Sequence, residues 1–366
     1  MKCEKRFVFN SLLILFILTI TICSTVQAGE WKLLFQPPQG TPAGWINQLI
    51  VHPTKSNVLF AGTEGAGIIV SQDGGKTWAQ KNQGFGTVEE GTVSGFQIRC
   101  IAIDPTKPDT IYAGMAAFGV YKTTDAGNKW DTVSEDTLED TFTKALAIHL
   151  SNPNIIYLGN DNNGGIHRYN NQTNKWQAIS AEELPNQTIN AIVMDPKDPK
   201  IIYVATNGFV GKTINGGDNW KVLSNGLTNR YILCLAMDPK DSKVLYAGTD
   251  GGGLFKTADG GEKWEAVGGN IWMTKPAAED LAAPGAADVE STLVVSSVVV
   301  NPANSSIVYA ANPSGVFRSA DAGQTWVQIN TGLTSTVIKN LAVNNTKPVI
   351  VYASTSDGKF FAYSEE

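Results

Sequence analysis

The sequence predicts an all-β protein built from seven repeats of a four-stranded antiparallel sheet. A unit of three apolar runs, separated by Pro-containing and Gly-rich turns, opens seven times along the chain. Six units end in a Trp, and consecutive closing Trp residues are 52, 46, 44, 44 and 62 positions apart. The composition, with 36 Gly among 366 residues and only 17% charged residues, indicates many turns joining apolar strands.

The first 28 residues are predicted to be a signal peptide. Three basic residues precede an apolar run at 12–22, and a small-residue cleavage site ends at Ala28. The run is shorter than the roughly 20 residues that a membrane-spanning helix needs. The mature chain, 29–366, keeps 25 basic and 33 acidic residues, a balance that argues against nucleic acid as a partner. We expect an extracytoplasmic protein, periplasmic or secreted, whose mature chain has no membrane span.

The N-terminal segment of the mature chain is predicted to close a ring of repeats. The seventh unit starts at Val343 and reaches the C-terminus without a Trp, while the segment Trp31 to Phe35 resembles the strand that follows every other closing Trp. If this segment completes the last unit, no sheet edge stays open. Four-stranded repeats of roughly 40 to 50 residues around a channel define a β-propeller. We therefore predict a single seven-bladed β-propeller over 29–366.

The turn between the third and fourth strands carries the most specific motif. It reads SQDGGKTW at 71–78, recurs at 123–130, 257–264 and 319–326, and has Asn215 in place of Asp at 213–220. The glycines permit positive φ, the Ser/Thr and Asp side chains satisfy turn amides, and the Trp fills the gap between blades. Four equivalent turns spread around a ring cannot converge on one substrate. A structural role is therefore predicted for Asp73, Trp78, Asp125, Trp130, Asp259, Trp264, Asp321 and Trp326.

These turns resemble the Asp-box, or BNR, repeat of β-propellers in sialidases, sortilin-type receptors, two-propeller xyloglucanases and photosystem II assembly factor-like proteins. The resemblance covers essentially the whole mature chain. Sialidases use an arginine cluster and an Arg-Ile-Pro signature, whereas the mature chain has four arginines and none precedes Ile-Pro, which excludes that activity. The assembly factors present an Arg-rich patch, for which this chain has too few arginines.

The xyloglucanase resemblance supplies an enzymatic alternative. The segment 44–65 is similar to the opening of those propellers, where a catalytic Asp stands at the position of Glu64, and Asp250 repeats the pattern. Both residues also fit ordinary turns between the second and third strands. That family builds its cleft between two propellers, and this chain supplies one. We therefore predict a non-enzymatic protein with no catalytic residue, cofactor or metal. The alternative is a glycoside hydrolase acting on β-glucans, with Glu64 and Asp250 as catalytic candidates.

Cys100 and Cys234 are predicted to be buried free thiols. They stand at the same register of two first strands, four residues before the turn, where other units carry Ala145, Ala191 and Ser297. A disulfide needs Cα atoms within about 7 Å, which strands of the second and fifth blades do not offer. A small packing slot between blades explains both residues.

One face of the disc is predicted to be the binding surface. We call it the upper face; it carries the loops between blades and the turns between second and third strands. Its loops are acidic and the opposite turns are lysine-rich, which predicts one negative and one positive face. Four aromatic residues are candidate ligand-binding residues for a protein or a glycan, namely Trp45, Phe142, Tyr231 and Trp272. The alternative for them is packing between blades. We expect a monomeric binding or assembly platform.

Overall fold

The computed structural model describes residues 29–36, 46–86, 95–116, 118–133, 138, 142–161, 165–179, 184, 188–229, 231–272 and 293–365. These residues are almost entirely strands and turns, with a short 3-10 turn at Gly269–Trp272. The predicted signal peptide, Trp45 and most carboxylates of the upper loops lie outside the described residues. Within the described ranges, no helix has the length and apolar character to cross a membrane.

The strands follow the predicted order of four per unit, and each pairs antiparallel with the next. The first strands are β2 (Ile46–Val51), β6 (Phe96–Ile103), β10 (Thr143–Ile148), β14 (Ile189–Met194), β18 (Ile232–Met237), β22 (Ser297–Val300) and β26 (Ile338–Val343). The second strands are β3 (Leu59–Gly65), β7 (Ile111–Met115), β11 (Ile155–Asn160), β15 (Ile202–Thr206), β19 (Leu245–Thr249), β23 (Val308–Asn312) and β27 (Ile350–Thr355).

The third strands are β4 (Ile68–Ser71), β8 (Gly119–Thr123), β12 (Ile166–Asn170), β16 (Val210–Thr213), β20 (Leu254–Thr257), β24 (Gly315–Ser319) and β28 (Phe360–Ser364). The fourth strands are β5 (Ala79–Gln80), β9 (Asp131–Thr132), β13 (Lys175–Ile179), β17 (Lys221–Leu223), β21 (Glu265–Val267), β25 (Val327–Gln328) and, for the last unit, β1 (Trp31–Phe35). An additional pairing of β3 with β6 joins the first two units into one eight-stranded sheet.

Burial falls from the inner strands to the outer ones. Second strands such as β15 and β19 are buried at every position, whereas both residues of the fourth strands β5 and β25 are exposed. A strand that is buried on both faces has apolar residues in a continuous run instead of an alternating pattern. The core therefore lies between successive sheets, each of which packs on its two neighbours.

The first strands contact one another in a cyclic order. Each contacts the first strand of the next unit, and β26 contacts β2. At three of these contacts between neighbouring first strands, a side-chain oxygen accepts a hydrogen bond from a backbone amide of the next unit. The accepting residue stands four positions before the turn that joins the first and second strands. The amide of Ile101 donates to Gln48 (2.6 Å), that of Leu341 to Ser297 (3.0 Å) and that of Leu49 to Asn340 (3.4 Å). The junction between the last and first units thus repeats the bonding found inside the chain.

The N-terminal strand β1 pairs with β28, with Trp31 opposite Tyr363. The Trp31 backbone amide donates to Thr331 O (2.9 Å), and its indole Nε1 donates to Ile329 O (2.5 Å). Trp130 makes the equivalent pair of bonds to the preceding unit, at Gln83 O and Lys81 O, both at 2.8 Å. Trp31 therefore occupies the position of a closing Trp in the last unit.

The closing contact requires a glycine, which gives a test of the β1 pairing. A Cβ on Gly332 would collide with the carbonyl oxygen of Trp31, as a Cβ on Gly226 would collide with that of Trp264. Gly332→Ala and Gly226→Ala should therefore each lower the free energy of unfolding by about 1 to 3 kcal/mol more than Gly74→Ala. Gly74 shares their positive φ but has open space around it.

The measurement is urea unfolding of the three purified variants beside the wild type. If Gly332→Ala behaves like Gly74→Ala while Gly226→Ala is destabilised, β1 does not hold the position of the fourth strand. Deletion of residues 29–35 should in addition lower the melting temperature and promote aggregation, because it exposes the edge of β28.

Candidate functional site

A channel surrounded by the first strands has two chemically different ends. The ends of the strands and the turns that follow line a cavity of about 530 Å³ whose lining is mainly aliphatic. The beginnings of the strands line a cavity of about 410 Å³ with a polar lining, which we call the upper cavity. The upper cavity opens on the side of the turns between second and third strands. The upper cavity therefore has the more polar lining of the two, although His149 and Asp195 also line the aliphatic one.

One register position supplies the upper cavity with a side chain from every unit. This ring position lies five residues before the turn, and it is occupied by Asn47, Arg99, Lys144, Asn190, Leu233, Ser296 and Lys339. The strand pairing is irregular here, since a register shift falls beside this position in most units. Such an irregularity changes where a side chain points. The ring position was not singled out from the sequence, although counting back from each turn residue finds it.

Neutral residues at the ring position join successive units. Asn190 Nδ2 donates to Ile232 O of the next unit (2.7 Å) and to Asn207 (2.9 Å). Asn47 Nδ2 donates to Ile98 O of the next unit (2.9 Å). Ser296 Oγ donates to Ile338 O (2.8 Å) in the same way. The small amide and hydroxyl side chains at this position are therefore used for the junctions between units.

The cationic residues at the ring position remain accessible. Arg99 Nη2 lies 3.2 Å from Glu64 Oε1, and Lys144 Nζ lies 3.7 Å from Asp161 Oδ2. The side chains of Arg99 and Lys144 are 40% and 39% exposed, and Lys339 is also exposed. Exposed ion pairs of this kind add little stability, so Arg99 and Lys144 can exchange them for other anions.

Glu64 and Asp250 are not brought together by any contact within the described residues. Glu64 Oε2 accepts a hydrogen bond from Asn47 (2.8 Å), and its other oxygen accepts one from Arg99. Asp250 is exposed, and its backbone amide donates to Tyr231 O (2.9 Å). The Glu64 carboxylate is thus part of the junction between the first and second units.

Phe142 and Tyr231 lie exposed at the upper face. They are 42% and 57% exposed. The carbonyl of each accepts a bond from the turn of its own unit, from Asp161 N (2.7 Å) and Asp250 N (2.9 Å). Val337, 40% exposed, occupies the same register and was missed because an isolated Val carries no signal in the sequence.

Trp272 is a core residue, which corrects its selection as a candidate ligand-binding residue. It is 1% exposed and packs edge-on against Phe317 (5.2 Å between ring centroids) and Trp326 (5.1 Å). Its Nε1 donates to Val267 O (2.6 Å). The burial of Trp272 was not predicted, because Trp272 lies in the long loop at 268–291, to which the repeat pattern assigns no packing position. Trp45 lies outside the described residues.

The Asp carboxylates of the Asp-box turns accept hydrogen bonds from residues of their own turns. Asp321 accepts from Thr325 N (2.8 Å), Thr325 Oγ1 (2.6 Å) and Ser319 Oγ (2.8 Å). The hydrogen bonds from Thr325 and Ser319 lower the pKa of Asp321 to about 2. For Asp73, burial acts to raise the pKa, but bonds from Thr77, Ser71 and Lys76 outweigh it and lower the pKa to about 2.

His52 and His149 accept hydrogen bonds in turns between first and second strands. Thr54 N donates to His52 Nδ1 (3.2 Å) and Ser151 N to His149 Nδ1 (3.0 Å). Asp104 accepts from Thr106 N (2.8 Å) at the equivalent position. In the described part of the chain, no group of three His, Cys, Asp or Glu residues is placed to hold a metal ion.

The expected division into a negative and a positive face is not reproduced at the channel. The upper cavity has three charged lining residues, and all three are cations. The upper-loop carboxylates that motivated the prediction lie mostly outside the described residues: Glu89, Glu90, Glu135, Asp136, Glu139, Asp140, Glu182, Glu183, Glu279, Asp280, Asp288 and Glu290. The lysines of the opposite turns, Lys55, Lys107, Lys197, Lys200, Lys240, Lys243 and Lys347, are all exposed.

No protein-family model matches the chain. Among curated proteins, an oligoxyloglucan-reducing end-specific xyloglucanase of Emericella nidulans is 34% identical over 93 residues, which are 25% of this chain and 11% of that protein. The match thus covers about a tenth of the curated relative.

Solved structures with similar folds include the GH74 xyloglucanase from Xanthomonas campestris, with a TM-score of 0.68 and 14% identity, covering 91% of this chain and 53% of that one. YCF48 bound to D1 peptide has a TM-score of 0.63 and 16% identity, covering 93% of this chain and 98% of that one. The extracellular domain of a putative hybrid two component system from B. thetaiotaomicron has a TM-score of 0.65 and 15% identity. This match covers 91% of this chain and 39% of that one. These likenesses show that the chain is a β-propeller.

The two thiols should be inert in the native protein. Burial raises the pKa of both Cys100 and Cys234 to about 12, so neither forms the reactive thiolate at pH 8.5. Cys100 is buried as predicted, whereas Cys234 is half-buried, with its Sγ 3.7 Å from Val295 O. Iodoacetamide at pH 8.5 should label neither residue until denaturant is added, as read by mass spectrometry. Rapid native labelling, or a bridge between Cys100 and Cys234, would contradict the positions of these strands.

The Asp-box turn should tolerate an amide better than a methyl group. Asp73→Ala removes the acceptor for two amides and two hydroxyls and should lower the free energy of unfolding by about 1 kcal/mol. Asp73→Asn keeps a carbonyl oxygen, as Asn215 does when it accepts from Asn219 N (3.0 Å), and should cost less. Urea unfolding at pH 7 distinguishes the two variants, and equal losses would count against this role.

The difference in unfolding free energy between the wild type and Asp73→Asn should depend on pH. Because the pKa of Asp73 is about 2 in the folded protein and 3.8 for the free side chain, its stabilising contribution is present above pH 4 and lost as the pH falls toward 2. The difference between wild type and Asp73→Asn should therefore shrink in unfolding experiments at pH 2.5.

Proposed function

We propose that this chain is an extracytoplasmic, non-enzymatic seven-bladed β-propeller, closed by β1, that binds a protein partner on its upper face. The cyclic contacts of the first strands and the bonds of Trp31 support the closed ring. The apolar segment at 12–22 and the cleavage site before Gly29 support export. The extracellular domain from B. thetaiotaomicron shares the fold, which agrees with this location.

The observation that carries this proposal is the set of exposed apolar side chains beside the upper cavity. Phe142, Tyr231 and Val337 share one register in three units, and each backbone carbonyl is fixed by a turn amide, the one from Ser356 to Val337 being 2.9 Å. Exposed aromatic and aliphatic side chains beside a polar cavity supply the apolar anchors that protein recognition sites use. The solved structure of YCF48 with D1 peptide provides a precedent for peptide binding by a propeller that this chain matches over nearly its full length.

A xyloglucanase-like hydrolase is the alternative, favoured by the local sequence match at 34% identity. This chain covers 53% of the Xanthomonas campestris enzyme, and the sequence match covers about a tenth of the curated relative. Against the alternative, Glu64 has hydrogen bonds to Asn47 and Arg99. A carboxylate engaged at a junction between units is a poor candidate for direct attack or proton transfer to a sugar.

The platform is tested with partners captured from the native cell envelope. Tyr231→Ala and Phe142→Ala should each weaken binding of the recovered protein by roughly 1 to 3 kcal/mol, because both rings would lose buried contact area. Ile214→Ala is the matched control, since Ile214 is 68% exposed but lies on the opposite face, in the turn after β16. Equal affinity of all three variants for the partner would overturn the assignment of the upper face.

The hydrolase alternative is tested with a polysaccharide hydrolysis screen on the wild type, followed by Glu64→Gln and Asp250→Asn. The non-enzymatic proposal expects no turnover. Reproducible β-glucan cleavage that disappears in either variant would overturn it, because loss of a general acid or base removes transition-state stabilisation while substrate binding persists.

A further inference from the structure

We propose that the upper cavity is a carboxylate site and that the partner is an extended acidic segment of a protein in which acidic and apolar residues stand two positions apart, on one face of the segment. This inference rests on the proposed function and specifies the partner's chemistry. Its basis is the convergence of cations on the channel of an acidic protein, whose formal net charge is −6.

The cations come from the first strands of three units that lie on one arc of the channel. The contacts between first strands place β26, β2, β6 and β10 in succession, and these carry Lys339, Asn47, Arg99 and Lys144 at the ring position. The other arc carries Asn190, Leu233 and Ser296, which are neutral. The positive charge is therefore concentrated on one side of the cavity.

Both Arg99 and Lys144 keep capacity for an incoming anion. The hydrogen bonds from Arg99 to Glu64 (3.2 Å) and Gln97 (3.5 Å) both use Nη2, whereas a guanidinium carries five donor hydrogens. The distance of 3.7 Å between Lys144 Nζ and Asp161 Oδ2 exceeds the length of a charge-assisted hydrogen bond, which is about 2.8 Å. A carboxylate from a partner can bind these groups without displacing a well-formed pair.

The spacing of apolar and cationic residues favours a peptide over an acidic sugar. Phe142 precedes Lys144 by two residues, and Val337 precedes Lys339 by two. In these two units an exposed apolar residue therefore comes two positions before the cation, on the side of the upper face. In an extended peptide, residues two positions apart lie on the same face at a similar spacing. Val337 offers no ring on which a sugar could stack. A segment with an apolar and an acidic residue two positions apart matches both features.

The experiment uses two blocked heptapeptides, acetyl-Tyr-Ser-Glu-Ser-Phe-Ser-Glu-amide and its analogue with Gln in place of Glu, each measured by isothermal titration calorimetry with the mature protein. The acidic peptide should bind about tenfold more tightly or better, since charge-assisted hydrogen bonds are about twice as strong as neutral ones. Its affinity should fall as salt rises from 10 to 150 mM, because the Debye length shrinks from about 30 to 8 Å.

Variants locate the charge effect. Lys144→Gln, Lys339→Gln and the double variant should each reduce binding of the acidic peptide, the double variant by about tenfold, and leave the Gln peptide unchanged. Lys55→Gln with Lys243→Gln removes the same charge from the opposite turns and should change neither. Thermal unfolding of every variant confirms that it is folded. Arg99→Gln is a less clean variant, because it also removes a partner of Glu64.

The outcomes separate this inference from the proposed function. Equal affinity for the two peptides, with binding that depends on Tyr231, would overturn the carboxylate site while the binding platform stands. Preferential binding of an oligogalacturonate over the acidic peptide would overturn the peptide assignment. If the Lys55→Gln, Lys243→Gln control loses as much affinity for the acidic peptide as the Lys144→Gln, Lys339→Gln variant does, the effect is one of overall charge. That result would also overturn the carboxylate site.

Discussion

The packing of each sheet on the next one sets the positions of the turns, the channel and the upper face. Tyr203 and Tyr246, each in a buried second strand, donate from their hydroxyls across the junction to Gly260 O (3.1 Å) and Ala322 O (2.8 Å). A buried hydroxyl without a partner costs free energy, so each Tyr fixes the turn of the following unit at one distance. Tyr157 bonds in the same way to Gly216 O (3.0 Å), so the Tyr of three second strands holds the Asp-box turn of the following unit. No partner is found for the Tyr112 hydroxyl within the described residues.

These bonds between Tyr hydroxyls and Asp-box turns explain why the turns on the face opposite the upper face are regular, whereas the loops of the upper face vary. The turns between first and second strands and the Asp-box turns are held by side chains of their own, such as Asp104 and Asp321. The loops that lead from one unit to the next share a glycine near the start of three of them, at Gly84, Gly226 and Gly332, and beyond it they differ in length and sequence. Their variation changes the upper face without disturbing the junctions, which is the usual way a rigid scaffold acquires binding residues.

The channel follows from the same geometry. First strands must bring small or apolar side chains together toward their ends, where the aliphatic cavity lies. At their beginnings the pairing is irregular and the side chains bond to neighbouring units or enter the upper cavity. Asn47 and Asn190 donate hydrogen bonds to the next unit. The longer side chains of Arg99 and Lys144 reach beyond these bonds into the upper cavity, so the charges there do not disrupt the packing between units.

Local periodicity, together with a motif that recurs in register, was enough to predict the strand order, the turns and the pairing of β1 with the last unit. It also placed Cys100 and Cys234 at equivalent positions, which the structure describes as free thiols. Which side chains share the channel could not be predicted in this way, because that depends on contacts between distant units. Trp272 is far from the repeat pattern, yet it packs on Phe317 and Trp326. Arg99, Lys144 and Lys339 are separated by 45 and 195 residues, and only the cyclic packing of the first strands brings them to one cavity.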